Sequence, residues 1–185
     1  MFLFFLHLVS AQAAGPLNAI RARISVAPLQ NLTAGRVAGE YANPSQELIK
    51  RVGPALSGER LYIFPDKSYV CCKWADVMPN TVFDKGVWSL EGYTLRLRSD
   101  LDIRWKPEFE REFMALRRPS HKNEILLMGL EKSSPYFEAH SGDDPELMLL
   151  IVTLRREKPV NPTAAATLKA RLMREAWRPD FFRKQ

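Results

Sequence analysis

The chain has 185 residues and a formal net charge of +6, with ordinary globular composition and no low-complexity tract. That length holds one domain with a sizeable core, and the absence of repeats excludes a solenoid. The basic excess is local: residues 1–149 hold 18 Lys and Arg against 18 Asp and Glu, whereas residues 150–185 hold 9 against 3.

Residues 1–13 read as a signal peptide. An apolar run from Phe2 to Val9 leads to Ala11 and Ala13, the small-x-small pattern that export peptidases cut, with cleavage expected after Ala13. The run is too short to cross about 30 Å of hydrocarbon, which takes roughly 20 residues. The expected location is therefore outside the cytoplasm, periplasmic or secreted. Residues 14–34 are weakly patterned and read as a linker or loosely docked arm.

A β-barrel-like domain is expected over residues 35–160. Gly35 to Tyr41 reads as a first short strand, and Asn43-Pro44 then starts a helix through Leu48, Ile49 and Val52 that Gly53-Pro54 stops. Leu61 to Phe64 and Ser68 to Trp74, joined at Pro65-Asp66-Lys67, form a hairpin rich in aromatic and β-branched residues. Gly86 to Leu90 and Tyr93 to Arg98 form a second, with Tyr93, Leu95 and Leu97 on one face and Thr94, Arg96 and Arg98 on the other. Leu101, Ile103 and Trp105 continue the alternation.

Pro107 to Arg118 supports two readings. Phe109, Phe113 and Leu116 have helical spacing, but Phe113 to Arg117 also makes a hairpin partner for Glu124 to Leu130, and strand is the preferred reading. Ser133 to His140 reads as a short capped helix, and the continuous apolar run Leu147 to Leu154 as a buried strand. Residues 161–185 form a basic amphipathic helix and tail. Its apolar stripe is Leu168, Leu172 and Ala176, and its basic residues are Lys169, Arg171, Arg174 and Arg178. The stripe suits docking on the sheet; the basic face also suits peripheral contact with a membrane.

The fold class that follows is mainly β with minor α: an antiparallel meander closing into a barrel or half-barrel, with short helices and a C-terminal amphipathic helix. Gly39-Glu40-Tyr41, Asp66-Lys67-Ser68-Tyr69 and Gly86-Val87-Trp88 resemble a pattern of small exported bacterial β-sheet proteins of unknown function. The same pattern is loosely similar to lipocalins, which open on a Gly-x-Trp strand and end in a helix on the barrel. Here the first triplet carries Tyr41 and the Trp-bearing copy comes late. The resemblance implies a fold and transfers no functional residue.

Chemistry-bearing motifs are scarce. Cys71 and Cys72 are adjacent, so strand geometry predicts one buried and one exposed thiol rather than a disulfide. No zinc-ligand spacing, phosphate loop or nucleophile elbow occurs, so no metal or cofactor is expected and the chain reads as a non-enzyme. The most polar loop, Glu138 to Asp144, contains His140 but is ordinary turn material. The remaining expectation is a non-catalytic binding protein for a small apolar ligand or a protein partner. Tyr41, Tyr69, Trp74, Trp88, Tyr93 and Trp105 are the candidate pocket lining. The alternative is an envelope-associated accessory protein held peripherally by its basic helix. Nucleic acid is not an expected partner, given export and the lack of aromatic residues interleaved with basic ones along a strand.

Overall fold

The computed structural model describes residues 25–100, 111–130 and 142–176, with Tyr136 and Ala139. The signal peptide, Trp105, His140 and the residues after Ala176 therefore lie outside the described residues. Nine strands form one sheet: β1 (Ala27–Pro28), β2 (Gly39–Asn43), β3 (Ser57–Ile63), β4 (Ser68–Ala75), β5 (Met78–Glu91), β6 (Thr94–Ser99), β7 (Glu112–Arg117), β8 (Leu126–Gly129) and β9 (Thr153–Pro159). Among the described residues, four helices with described bounds accompany them: α1 (Ala34–Val37), α2 (Gln46–Val52), α3 (Pro145–Val152) and α4 (Pro162–Glu175).

All strand pairings are antiparallel. The order runs β7-β6-β5-β4-β3-β2-β9-β8 and closes through β7 with β8, giving an eight-strand barrel. β1 is the extra strand. It pairs with β7 at Arg117 and Leu116, beyond the point where β6 pairs at Met114, and so occupies the place that the β5–β6 turn vacates.

Period-2 alternation sorts the side chains. Tyr41, Leu61, Ile63, Tyr69, Cys71, Trp88, Leu95, Leu97, Phe113 and Leu127 point inward to one cluster, and Leu29, Leu32 and Val37 close one end of it. The neighbours on the same strands point outward and are buried by helices instead of water. Met114, Leu116, Leu126 and Met128 lie under Met148 and Leu149 of α3. Tyr62, Phe64, Val70, Cys72 and Val82 lie under Leu172 and Ala176, at the end of α4.

Four expectations are corrected. The run Leu147–Leu154 is mostly α3: Asp144 accepts a hydrogen bond from Glu146 N–H, Pro145 occupies the first turn, and the strand begins only at Thr153. A continuous apolar run fits a buried helix as well as a buried strand, and the cap decides. Both cysteines are free and buried, because the outer face of β4 at Cys72 is covered by α4. Residues 34–37 are helical, started by the Thr33 side chain accepting from Arg36 N–H, so the first strand of this segment begins at Gly39. Tyr93 does not share a face with Leu95 and Leu97. It sits in the turn before β6 and packs with the Met114 cluster. The hairpins at β3–β4 and β5–β6, the helix after Asn43 and the docked C-terminal helix stand as expected, and the ambiguous segment is strand over Glu112–Arg117.

Candidate functional site

Of the six aromatic side chains expected to line a pocket, three reach the barrel interior. Tyr41 is fully buried, and its hydroxyl donates to the Val37 carbonyl at 2.7 Å. Burial pushes its phenol well above the ordinary value. Trp88 donates through Nε1 to the Phe64 carbonyl at 2.9 Å, and the Lys67 ammonium lies 4.1 Å from its ring centre. Tyr69 donates to Asp84 Oδ2 at 2.7 Å. Trp74 is half-buried opposite Gly58, whose missing Cβ leaves room for the ring and for Pro44. Tyr93 lies outside the barrel, and Trp105 outside the described residues.

The inward-facing positions therefore carry large side chains packed on one another, with their polar atoms already engaged. The Asp84 carboxylate shows this best. It is fully buried and accepts from Tyr69 Oη, Ser99 Oγ and the Lys85 backbone N–H. Burial and the neighbouring carboxylate both drive the Tyr69 phenol strongly upward, which keeps it a donor. Among the described residues no buried side-chain nitrogen or oxygen lacks a partner, and no group of three or more His, Cys, Asp or Glu could hold a metal ion.

A second polar constellation ties α2 to the barrel. Arg118 donates to both oxygens of Glu124 and to both oxygens of Glu47, while Arg155 reaches the same two carboxylates. At the edge, Arg51 pairs with Glu47, Asp144 and Glu146. Every charge here has an opposite partner, which makes the cluster a clasp between α2, the β7–β8 hairpin and β9. Arg118 and Glu47 are 71 residues apart, so no local motif announces it.

Two surface features remain. A half-open groove of about 600 Å³ lies beside β5 and β6, lined by Trp88 and Leu97 together with Arg96, Arg98, Arg111 and Glu112. Its lining mixes apolar surface, including Trp88 and Leu97 of the inner cluster, with four charged side chains, and so differs from a wholly apolar cavity. At the β4–β5 end of the barrel, by contrast, apolar side chains face water. Val77 in the turn is 96 % exposed and Leu56 is 74 % exposed, with Val52 and Ile49 of α2 leading up to it. The Asp76 N–H donates to the Leu56 carbonyl at 2.8 Å, which sets the turn beside Leu56. Sequence reasoning missed this patch because Val77 follows Asp76 in a two-residue turn and Leu56 lies in a short connection.

Comparison with known protein families, with curated proteins and with solved structures finds no match. Among the described residues no helix is long and apolar enough to cross a membrane.

Proposed function

We propose that the protein is a non-catalytic binding module that works through its outer surface, at the barrel end bearing Val52, Leu56 and Val77. The observation that carries this reading is a contrast: Tyr41, Tyr69 and Trp88 fill the interior with their polar atoms satisfied, while Leu56 and Val77 are left in water. Exposed apolar clusters beside polar surroundings are the usual mark of an interaction site. A small apolar ligand has no comparable support, since the interior positions that would hold it are occupied by packed side chains. Placement outside the cytoplasm rests on the Phe2 to Ala13 pattern.

Native mass spectrometry of the protein purified from its own cells tests this reading. The expected mass is that of the polypeptide alone. A retained small molecule, lost when Tyr69 or Trp88 is altered, would overturn it in favour of an internal ligand.

A further inference from the structure

The two ends of the barrel carry different surfaces. β2 leads from α1 at Gly39 to α2 after Asn43, and Asn43 pairs with Glu59 on the way to Ser57 and Ala75 beside the β4–β5 turn, so α1 lies at the end away from Leu56 and Val77. No Asp or Glu occurs over residues 25–39, which carry the Leu29, Leu32 and Val37 plug, or over residues 113–123, which form most of β7 and the turn after it. The last inward positions of the barrel wall at this end are arginines. Phe113 and Ala115 face the interior on β7, which puts Arg117 on the same face, and Arg156 of β9 pairs with the inward Tyr41. Arg117 and Arg156 flank β8 at Ile125: Leu116 pairs with Leu126 one step before, and the Arg156 N–H donates to the Ile125 carbonyl at 2.9 Å. Their backbones are thus two strand spacings apart, about 10 Å. Arg36 comes from α1 and Lys122 from the β7–β8 turn, both exposed.

Arg156 is held in place across this end. Nη1 donates to the Arg36 carbonyl at 2.6 Å and Nη2 to the Asn123 carbonyl at 3.2 Å, and its stem lies on Gly39, where a Cβ would come within 2.7 Å of Cδ. The two carbonyls orient the guanidinium without neutralising it, and they use two of its five N–H groups. Among the described residues, none of Arg36, Arg117, Lys122 and Arg156 has a carboxylate partner. The acids that border the end are engaged elsewhere: Glu40 with Arg60 and Lys158, Glu124 with Arg118 and Arg155. The clasp matches its arginines with carboxylates, whereas this rim gathers like charges that repel one another until an anion arrives.

We infer that the α1 end of the barrel binds a multiply charged phosphoryl oxyanion, with Arg36, Arg117 and Arg156 donating to its oxygens and Lys122 adding charge. A phosphoryl group brings about two negative charges and three acceptor oxygens on one atom, and planar guanidinium forks are the donors that fit it. A monocarboxylate would bring a single charge to four cations. The site lies at the other end of the barrel from Val77 and does not depend on the surface-binding reading above.

Isothermal titration of the full chain with sodium tripolyphosphate at low ionic strength tests it. One site per chain is expected, weakening as salt is raised. Arg36→Gln with Lys122→Gln, both at exposed positions, should weaken binding at least roughly tenfold, and Arg117→Gln roughly fivefold. Lys50→Gln with Arg174→Gln removes the same net charge away from this end and should leave the affinity unchanged. Cosedimentation with phosphatidylcholine vesicles containing phosphatidic acid then gives the source of the phosphoryl group. Vesicle binding that is lost in Arg36→Gln with Lys122→Gln assigns it to a lipid headgroup; no vesicle binding, or binding that persists in that variant, assigns it to a soluble ligand. The inference is overturned by the absence of tripolyphosphate binding, by several equal weak sites, which mark an adventitious ion only, by affinity unchanged in Arg36→Gln with Lys122→Gln, or by an equal loss in the two paired variants. The surface-binding reading falls separately, on a ligand retained inside the barrel.

Discussion

Arg118 and Glu124 face each other across the β7–β8 hairpin in a two-pronged pair, Nη2 to Oε1 at 2.6 Å and Nε to Oε2 at 2.9 Å, with both side chains almost completely buried. The free energy of such a pair is small when both partners are present and large when one is removed, because the survivor is left as an uncompensated buried charge. Glu124→Ala should therefore lower stability by about 3 kcal/mol. The exposed Arg51→Ala should change it by less than about 1 kcal/mol. Urea unfolding of both variants checks the contrast, and equal effects would remove the clasp from the account.

The same cluster sets an acid limit. For Glu47 the hydrogen bonds from Arg118 dominate, against partial burial and with the charges of Arg118, Arg155 and Arg51 assisting. For Glu124 burial works against the carboxylate, but the hydrogen bonds and charge of Arg118 and the charge of Arg155 outweigh it. Both carboxyls are held below their ordinary value of 4.5. A depressed folded value means stability that is fully present above the unfolded pKa and is lost as pH falls through the folded one. Thermal midpoints should drop between about pH 5 and about pH 3, and the drop should be shallower in Glu47→Gln with Glu124→Gln.

Cys72 reports on the docking of α4. Burial pushes its thiol up to about 12, and burial also holds the Cys71 thiol, inside the barrel, well above its ordinary value. Neither should react with a maleimide at neutral pH while α4 is docked. Leu172→Asp places a charge in the helix contact and should raise labelling to one thiol per chain, at least about tenfold faster. Adding Cys72→Ser should abolish that label; adding Cys71→Ser should leave it. Labelling of Cys71 in place of Cys72 would contradict the inside and outside assignment of β4.

Tyr69→Phe takes a donor from a fully buried carboxylate and should cost about 2 kcal/mol. Alkaline titration followed by phenolate absorbance gives an independent reading. Tyr41, Tyr62 and Tyr69 are all raised, first by burial. Fewer than the five tyrosines of the chain should therefore ionise before it unfolds. Full titration in the native state would mean an interior open to hydroxide.

Strand identity was legible wherever one face was wet or the turn chemistry was strong. Pro65-Asp66-Lys67 bounds β3 and β4, and Lys67 takes the left-handed conformation at φ 67° that such a turn needs. Alternation failed where a helix covers the outer face. Phe113 to Leu116 is apolar at every position because α3 lies on one side and the barrel interior on the other, which erases the period that separates strand from helix. The cysteine reading failed for the same reason. Of the expected site aromatics, Tyr41, Tyr69 and Trp88 were correctly placed on an inner surface. What the pattern did not carry is whether that surface encloses space, which depends on how the side chains of eight strands meet. Val77 and Leu56 drew no notice, since exposure of a single apolar residue is a property of the assembled barrel.

The seam of the barrel has a consequence for how the chain is made. β9 fits between β2 and β8, and Asn43 reaches across to the carbonyls of Ile151 and Thr153, the latter 110 residues later in the chain. Until Thr153–Pro159 emerges from the ribosome, the edges of β2 and β8 that β9 will join have no partner, and loop closure over that span is slow. For most of its synthesis the polypeptide keeps an open seam between β2 and β8, and the final strand ends that condition.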